Sequence, residues 1–304
     1  SGKAVGRVTW LGGVIASMSG VALCLLSAGL LGIQIPLAKL SYMDGADPIA
    51  LAMLRCIGAA LPFLIWAKVK GISLAVPRDA WPGLLTIAGA TTAISYGYLG
   101  ALGRIPASLT ALLFYLYPLI VLVIAAIHAR ELPGIRRLGI FTLAFAGLAL
   151  VFGPTLQDLD PIGVGLGLLA AVGAAVYFFV VPPLTKRVSS LLLMGWSNAL
   201  VGLLFIPGML LLDGGFPQQI GGWSAFWAAA TVYAIGMALT YPALARTGSV
   251  KAAMLYNFEP LTIIVLSALL LGDVMTTIQY VGGAAVLISL VLASARSAED
   301  VLPD

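Results

Sequence analysis

Long apolar stretches recur along the whole sequence and constrain its fold more than any other feature. Stretches of about 20 mainly apolar residues are separated only by short polar segments. Because the interior of a bilayer offers the backbone no hydrogen-bond partners, spans of this length are expected to be α-helices. The sequence is 61% hydrophobic and 9% charged, with a mean hydropathy of +1.07. Soluble domains contain about 25% charged residues, so the sequence indicates an integral membrane protein.

Ten of these stretches are interpreted as transmembrane helices, and the expected fold class is an all-α integral membrane protein. The intervening segments carry turn-forming residues, as in residues 44–48, and none is long enough to form a soluble domain. The predicted helices are 11–38, 48–67, 80–102, 107–128, 135–153, 161–184, 190–212, 220–245, 249–271 and 275–295.

One pattern occurs twice, 142 residues apart. Residues 112–131 (LLFYLYPLIVLVIAAIHARE) and residues 254–273 (MLYNFEPLTIIVLSALLLGD) both carry a proline near the middle of an apolar span. Both copies end on a carboxylate, Glu131 in the first and Asp273 in the second. Internal duplication of this kind is typical of secondary transporters.

The distribution of Lys and Arg predicts how the chain crosses the membrane. Placing the N-terminus inside puts thirteen of the sixteen cations on the cytoplasmic side, which favours cytoplasmic N- and C-termini. Ten helices divide into five plus five, and five is odd, so the second copy must enter the membrane from the opposite side. The sequence therefore predicts a first five-helix repeat in residues 1–153 and an inverted five-helix repeat with a short cytoplasmic tail in residues 154–304. Glu131 is then expected inside and Asp273 outside.

These features resemble the drug/metabolite transporter superfamily in its EamA-type branch. The resemblance rests on the paired spans LYPLIVLVIAAIHARE and FEPLTIIVLSALLLGD, and on Lys39 and Lys186, which are expected to close the first helix of each repeat. It implies a secondary active transporter of the bacterial inner membrane that exports small metabolites by alternating access through a central cavity. Amino acids, including aromatic and hydrophobic ones, are the closest expected substrates. A drug, a nucleotide sugar or a sugar phosphate is an alternative solute, and a channel is an alternative class.

Two ionisable residues fall inside predicted spans, where an uncompensated charge is costly. Glu259 is expected to accept hydrogen bonds from the protein and has either a structural role or a role in coupling or substrate contact. Arg55 either binds helix-end carbonyls or clamps a substrate carboxylate, for which guanidinium geometry is well suited. The small multidrug transporters of the superfamily couple to protons through a Glu in the first helix. Residues 10–43 contain no Asp or Glu, so that mechanism does not carry over.

Aromatic and amide side chains in the middle of predicted spans are the candidate substrate-binding residues. Each could instead serve helix packing, but together with Gln34 they predict an aromatic-lined polar cavity, because a buried tyrosine hydroxyl needs a partner. Arg55 and Lys251 are the nearby cations available to a substrate carboxylate. The mid-span candidates are Tyr96, Tyr98, Tyr115, Tyr177, Trp196, Asn198, Tyr233, Tyr256 and Asn257.

Other functions are disfavoured by what the sequence lacks. His128 is the single histidine, so no histidine cluster can bind a metal, and we expect neither a metal nor a cofactor. No P-loop motif is present, and no paired acids or nucleophile with its base lie within the spans, so an enzyme is not expected. The expected partners are a small-molecule substrate and the lipid bilayer, with no nucleic acid, and the chain is expected to be a monomer.

Overall fold

The computed structural model describes residues 17–102, 104–105, 107–130, 133–153, 160–211, 215–271 and 276–294. Regular structure in these ranges is helical throughout, with twelve α-helices, a 3-10 turn at Arg78–Ala80 and no strand. The α-helices are α1 (Gly20–Met43), α2 (Pro48–Val69), α3 (Trp81–Leu102), α4 (Ala107–Phe114), α5 (Tyr117–Ala129), α6 (Ile135–Phe152), α7 (Pro161–Thr185), α8 (Ser190–Leu211), α9 (Ile220–Thr247), α10 (Ser249–Leu255), α11 (Phe258–Leu271) and α12 (Thr277–Ser294).

Seven stretches of this structure are long and apolar enough to cross a membrane. They are Gly20–Met43, Pro48–Val69, Thr110–Ala129, Pro161–Thr185, Ser190–Leu211, Ile220–Thr247 and Ser249–Leu266. The prediction of an all-helical membrane protein is therefore confirmed at this level. The remaining predicted spans correspond to α3, α6 and α12, which form helices but are not among the seven.

Two predicted spans are each broken into two helices. The span predicted at 107–128 consists of α4 and α5, and the span predicted at 249–271 consists of α10 and α11. At both breaks the chain makes hydrogen bonds that span three residues, as in a 3-10 turn, and not the four of an α-helix. They run from Leu116 N to Leu113 O and from Asn257 N to Met254 O. A proline follows each break, and because proline lacks an N–H and clashes with the preceding turn, it disfavours a continuous helix.

The first helix differs from its prediction. It continues through Lys39 to Met43, so Lys39 lies inside α1, whereas Lys186 does follow the end of α7 as expected. The helix ends instead at the turn that contains Gly45, which has a φ of 93°. Glycine tolerates this left-handed backbone without a steric penalty, which is why the helix stops there and not at Lys39.

The bounds of the helices repeat along the chain at a constant offset. Adding 142 to the bounds of α2 gives those of α8, and adding 142 to the bounds of α6 gives those of α12. The broken helices follow the same offset, since α4 and α5 map onto α10 and α11 within a residue. Glu131 and Asp273, the carboxylates expected on opposite sides, lie outside the described residues.

Packing joins the two halves of the chain. The most extensive helix contacts are α1 with α9, α3 with α7, α2 with α8 and α6 with α12. Each of these pairs takes one helix from each half, so the core lies between the halves. Glycines allow the closest approaches: a Cβ placed on Gly282 of α12 would lie 2.5 Å from the Gly147 carbonyl oxygen of α6.

Corresponding contacts hold the starts of α1 and α7. Arg246, at the end of α9, donates to the Met18 carbonyl at 2.6 Å, while Arg104, after α3, donates to the Asp160 carboxylate at 3.1 Å. Asp160 caps α7 by accepting from Ile162 N at 2.8 Å. This backbone hydrogen bond, together with the Arg104 guanidinium, lowers the pKa of Asp160 below its ordinary value. Each first helix is thus tied to the opposite half.

Candidate functional site

A cavity of about 150 Å³ lies between the two halves. In the first half of the chain, its walls come from α1, α2, α3, α4 and α5. In the second half, they come from α7, α9, the α10–α11 break and α11. The lining residues are Leu31, Gln34, Arg55, Thr91, Ile94, Ser95, Phe114, Tyr117, Ala174, Tyr177, Phe178, Tyr233, Met237, Thr240, Tyr256 and Glu259.

Both helix breaks open onto this cavity. Tyr117 begins α5 directly after the first break, and Tyr256 precedes α11, in which Glu259 occupies the first turn. The first-turn N–H groups of a helix lack partners within that helix, and they carry a partial positive charge. A negative group such as the Glu259 carboxylate is therefore favoured at the start of α11.

Arg55 is held at the cavity wall by two neighbours. Its Nη1 donates to Gln34 Oε1 at 3.0 Å, and its Cζ lies 4.4 Å from the centroid of the Tyr233 ring. This second contact is a cation–π interaction, which contributes more in a desolvated site than at a surface. The buried Nε atom has no hydrogen-bond partner, so the guanidinium keeps donor capacity for a further acceptor.

Glu259 presents an acidic group to the same cavity. Its side chain is partly accessible, and the structure shows no hydrogen bond to its carboxylate from any described residue. The sequence-based expectation that the protein would hydrogen-bond this carboxylate is therefore not met in the described part of the chain. Arg55 is near enough to act on Glu259 electrostatically, but no ion pair within 4.0 Å joins these two described residues.

Aromatic rings form a continuous wall beside Glu259. Phe178 lies at the centre, with its ring centroid 5.0 Å from that of Tyr117 and 5.1 Å from that of Tyr256. Phe114 extends the wall at 5.5 Å from Tyr117. The Tyr117 hydroxyl is buried without a hydrogen-bond partner. The wall therefore offers both apolar faces and an unused polar group.

Hydrogen bonds to buried side chains fix other parts of the lining. Tyr256 donates to Ser27 Oγ at 2.8 Å, and Ser27 bonds to Thr240 at 2.7 Å. Tyr233 donates to Asn198 Oδ1 at 3.0 Å. Because the Ser27 and Tyr233 bonds connect different helices, they hold the rings of Tyr256 and Tyr233 in place at the cavity.

The structure brings together only some of the residues singled out from the sequence. Arg55, Tyr177, Tyr233 and Tyr256 line the cavity, and Glu259 lies with them. Tyr98 and Tyr115 lie one layer behind, where each packs on Phe114.

The other candidates lie away from the cavity lining. Tyr96 is 65% exposed on the outer surface of α3, and Trp196 donates to the Leu74 carbonyl at 3.0 Å. Asn198 is behind the wall because it holds Tyr233. Asn257 is buried at the break, and Lys251 lies on α10, but neither lines the cavity. Position within a span does not determine which face of its helix a residue occupies.

Sequence reasoning left several lining residues out of the candidate set. Thr91 and Ser95 supply polar groups from α3, and Tyr117 supplies a phenol. Tyr117 could have been found, because an offset of 142 residues places it on Glu259. Among the described residues, no group of three or more His, Cys, Asp and Glu side chains could hold a metal ion.

Comparison with known proteins assigns the fold to a family. The model of the EamA-like transporter family matches residues 18–153 and again residues 161–295. The chain belongs to the EamA-like transporter family. The two matches cover most of the chain and are separated by residues 154–160, between α6 and α7.

Individual relatives agree with this assignment. The chain is 27% identical over 259 residues to the uncharacterized inner membrane transporter YicL of Salmonella typhimurium strain LT2, covering 81% of this chain and 85% of that protein. A protein of known crystal structure superposes with a TM-score of 0.78 at 18% identity, covering 92% of this chain and 99% of its own. The first comparison supports a membrane transporter, and the second supports the fold.

Proposed function

We propose that this EamA-family protein is a secondary active transporter that exports small metabolites, amino acids among them, across the bacterial inner membrane. The observation that carries the proposal is the cavity between the two halves, which is lined by aromatic rings, Arg55 and Glu259 and is bordered by both helix breaks. Irregular backbone within a membrane is stable where it lines a cavity, and transporter substrate sites are commonly built at such breaks.

Inverted five-helix repeats would explain the pairing of the helices. A two-fold axis between the halves exchanges α1 with α7 and α9 with α3, so the α1–α9 contact and the α3–α7 contact become equivalent. The α2–α8 and α6–α12 contacts map onto themselves under the same exchange. Alternating access then consists of one half rocking against the other around the central cavity. In this proposal the chain has ten membrane crossings and both termini in the cytoplasm.

The size of the cavity favours a small solute. Drug-sized ligands occupy pockets of roughly 300–1,000 Å³. The cavity here has a volume of about 150 Å³, so a nucleotide sugar would need a cavity of much larger volume. An amino acid with a hydrophobic or aromatic side chain matches the combination of rings and charged groups. A channel is the alternative class, but the described lining contains no ring of like charges of the kind that selects ions.

Counterflow in proteoliposomes tests the proposal. Purified protein is reconstituted in vesicles loaded with unlabelled L-phenylalanine, and uptake of labelled L-phenylalanine is followed. A carrier concentrates the label transiently because the excess of unlabelled internal substrate competes with the label for exit, whereas a channel only equilibrates it. Absence of counterflow for Phe, Trp and Leu would contradict the proposed amino-acid function.

Three variants locate the transport site. Tyr256→Ala and Arg55→Gln remove lining groups and are expected to reduce counterflow at least about fivefold, since each loses a contact worth roughly 1 kcal/mol or more. Tyr96→Ala is the matched control, because this ring lies on the same protein but outside the cavity. Equal loss in all three variants would indicate a general folding defect.

A further inference from the structure

The cavity is lined by one basic and one acidic side chain that do not pair with each other. Arg55 and Glu259 both line it, yet no ion pair within 4.0 Å joins them, and Arg55 hydrogen-bonds Gln34 instead. Opposite charges buried near each other would normally be expected to pair, because an unpaired charge in a desolvated site is costly. The arrangement leaves an acceptor and a donor available to a third group.

The two charged groups lie in different surroundings. The Arg55 guanidinium rests on the Tyr233 ring, and its buried Nε has no partner, so not all of its donors are used. Glu259 lies beside the wall of Phe178, Tyr117 and Tyr256, where aromatic faces add to the attraction that a carboxylate exerts on a cation. The cavity is therefore polarised, with one end suited to each sign of charge.

Charge balance selects among ligand types. An organic anion could pair only with Arg55 and would leave the Glu259 carboxyl group unused, and an organic cation could pair only with Glu259 and would leave the Arg55 charge uncompensated. A ligand that carries both charges pairs with each group and leaves the cavity neutral, which avoids the cost of a buried uncompensated charge. A carboxylate is also the group that matches guanidinium geometry.

We propose that the cavity recognises its substrate as a zwitterion, with Arg55 binding the carboxylate and Glu259 binding the ammonium group of an α-amino acid. The inference rests on the proposed transport function but specifies how the substrate is chosen. The aromatic wall receives the side chain, and the polarised charges reject compounds that have lost either end. Arg55 and Glu259 are thus specificity-determining residues.

Binding to the purified full-length protein tests the inference separately from transport. Titration calorimetry in detergent compares L-phenylalanine with 3-phenylpropanoate, which lacks the ammonium group, and with 2-phenylethylamine, which lacks the carboxylate. We expect each analogue to bind about tenfold or more weakly, since a hydrogen bond to a charged group is worth roughly 1.5–3 kcal/mol. Equal binding of all three compounds, tighter binding of either analogue, or binding of none would overturn the inference.

Variants of Arg55 and Glu259 test which residue binds the carboxylate and which binds the ammonium group of the substrate. Glu259→Gln is expected to remove most of the preference for phenylalanine over 3-phenylpropanoate while leaving the preference over 2-phenylethylamine. Arg55→Gln should have the opposite pattern. Asp79→Asn and Arg187→Gln are matched controls that remove the same charges from an exposed ion pair elsewhere, with an N–O distance of 3.5 Å, and should leave both preferences unchanged. A purely structural role would weaken binding of all three compounds by the same factor.

The outcomes separate the inference from the proposed function. Preference for the zwitterion without counterflow would support the proposed binding mode and contradict the proposed transport of amino acids. Counterflow without any preference among the three compounds would leave the transporter in place and overturn the zwitterion site.

Discussion

The two helix breaks share one backbone design but differ in chemistry. At the first, Tyr117 precedes Pro118 at the start of α5, and at the second, Glu259 precedes Pro260 in the first turn of α11. The helices on either side keep the same register at an offset of 142 residues. A repeated backbone therefore supports a cavity with a phenol on one side and a carboxylate on the other. Repetition of the backbone does not impose repetition of charge.

The helices that pack against the two breaks also differ. A Cβ on Gly32 of α1 would lie 2.8 Å from the Glu259 carbonyl oxygen, which is fixed backbone. A Cβ on Gly167 of α7 would lie 2.9 Å from Leu113 Cδ1, the end of a flexible side chain, and 3.1 Å from Leu113 Cβ. The second break is therefore held more tightly by its neighbour than the first.

The largest expected effect tests whether the copies are inverted. Single cysteines at positions 131 and 273, in a background without Cys24 and Cys56, are exposed to an impermeant thiol reagent in intact cells. We expect labelling at 273 alone, because an odd number of crossings places equivalent residues on opposite sides. Labelling of both positions, or of position 131 alone, would contradict the inverted arrangement.

The difference in close packing predicts unequal effects of adding a methyl group. Gly32→Ala should lower the free energy of unfolding by about 1–3 kcal/mol, because the carbonyl it meets cannot rotate away. Gly167→Ala should have a smaller effect, since Leu113 can change rotamer and alanine favours a helix over glycine. Thermal unfolding in detergent measures both. Equal destabilisation would show that the two crossings are packed alike.

The chemical difference between the breaks predicts unequal effects on transport. Glu259→Gln should reduce counterflow efficiency for phenylalanine about tenfold, because the variant loses a charged contact. Tyr117→Phe removes a hydroxyl that has no partner and should change the efficiency by less than about threefold. Glu259→Gln with near-normal counterflow would assign Glu259 a structural role. Glu259→Asp keeps the carboxyl group on a shorter side chain and separates the loss of the acid from a change in packing.

The smallest effect concerns the starts of α1 and α7. Asp160 caps α7 with a lowered pKa, so its contribution to stability is present above the unfolded-state value and is lost as the pH falls through the lower folded-state value. Ser19 caps α1 by accepting from Ala22 N and does not titrate in this range. Asp160→Asn preserves the cap but should flatten the dependence of melting temperature on pH as the pH falls below about 5. Ser19→Ala should leave that slope unchanged.

Much of the helical architecture could be predicted from hydropathy and turn residues. The structure keeps the helices at 48–69 and 190–211 close to their predicted bounds, since Asp47-Pro48 and the polar segment before Ser190 give clear starts. Pro118 and Pro260 indicated that these two spans are broken, but the exact positions were harder to predict, because the prolines lie two or three residues after the positions where the helices separate.

The cavity was less predictable than the helices. In a soluble protein, alternation of polar and apolar residues shows which face of a helix is buried. Here both faces of α3 are apolar, so nothing in the sequence distinguishes Tyr96 on the outer surface from Ser95 at the cavity. Arg55 and Glu259 were predictable as functional candidates, since charged groups within a span rarely face lipid.

The pairing of α1 with α9 has a consequence for biosynthesis. Ser27 of α1 donates to the Gly236 carbonyl, 209 residues later in the chain, and accepts from Tyr256, 229 residues later. At about 5–20 residues per second, the ribosome needs roughly 10–40 s to supply these partners. During that interval the newly inserted first helix must persist in the bilayer without the helix that will cover it. Nascent chains released before Thr247 is inserted would expose that surface and become substrates for membrane proteases.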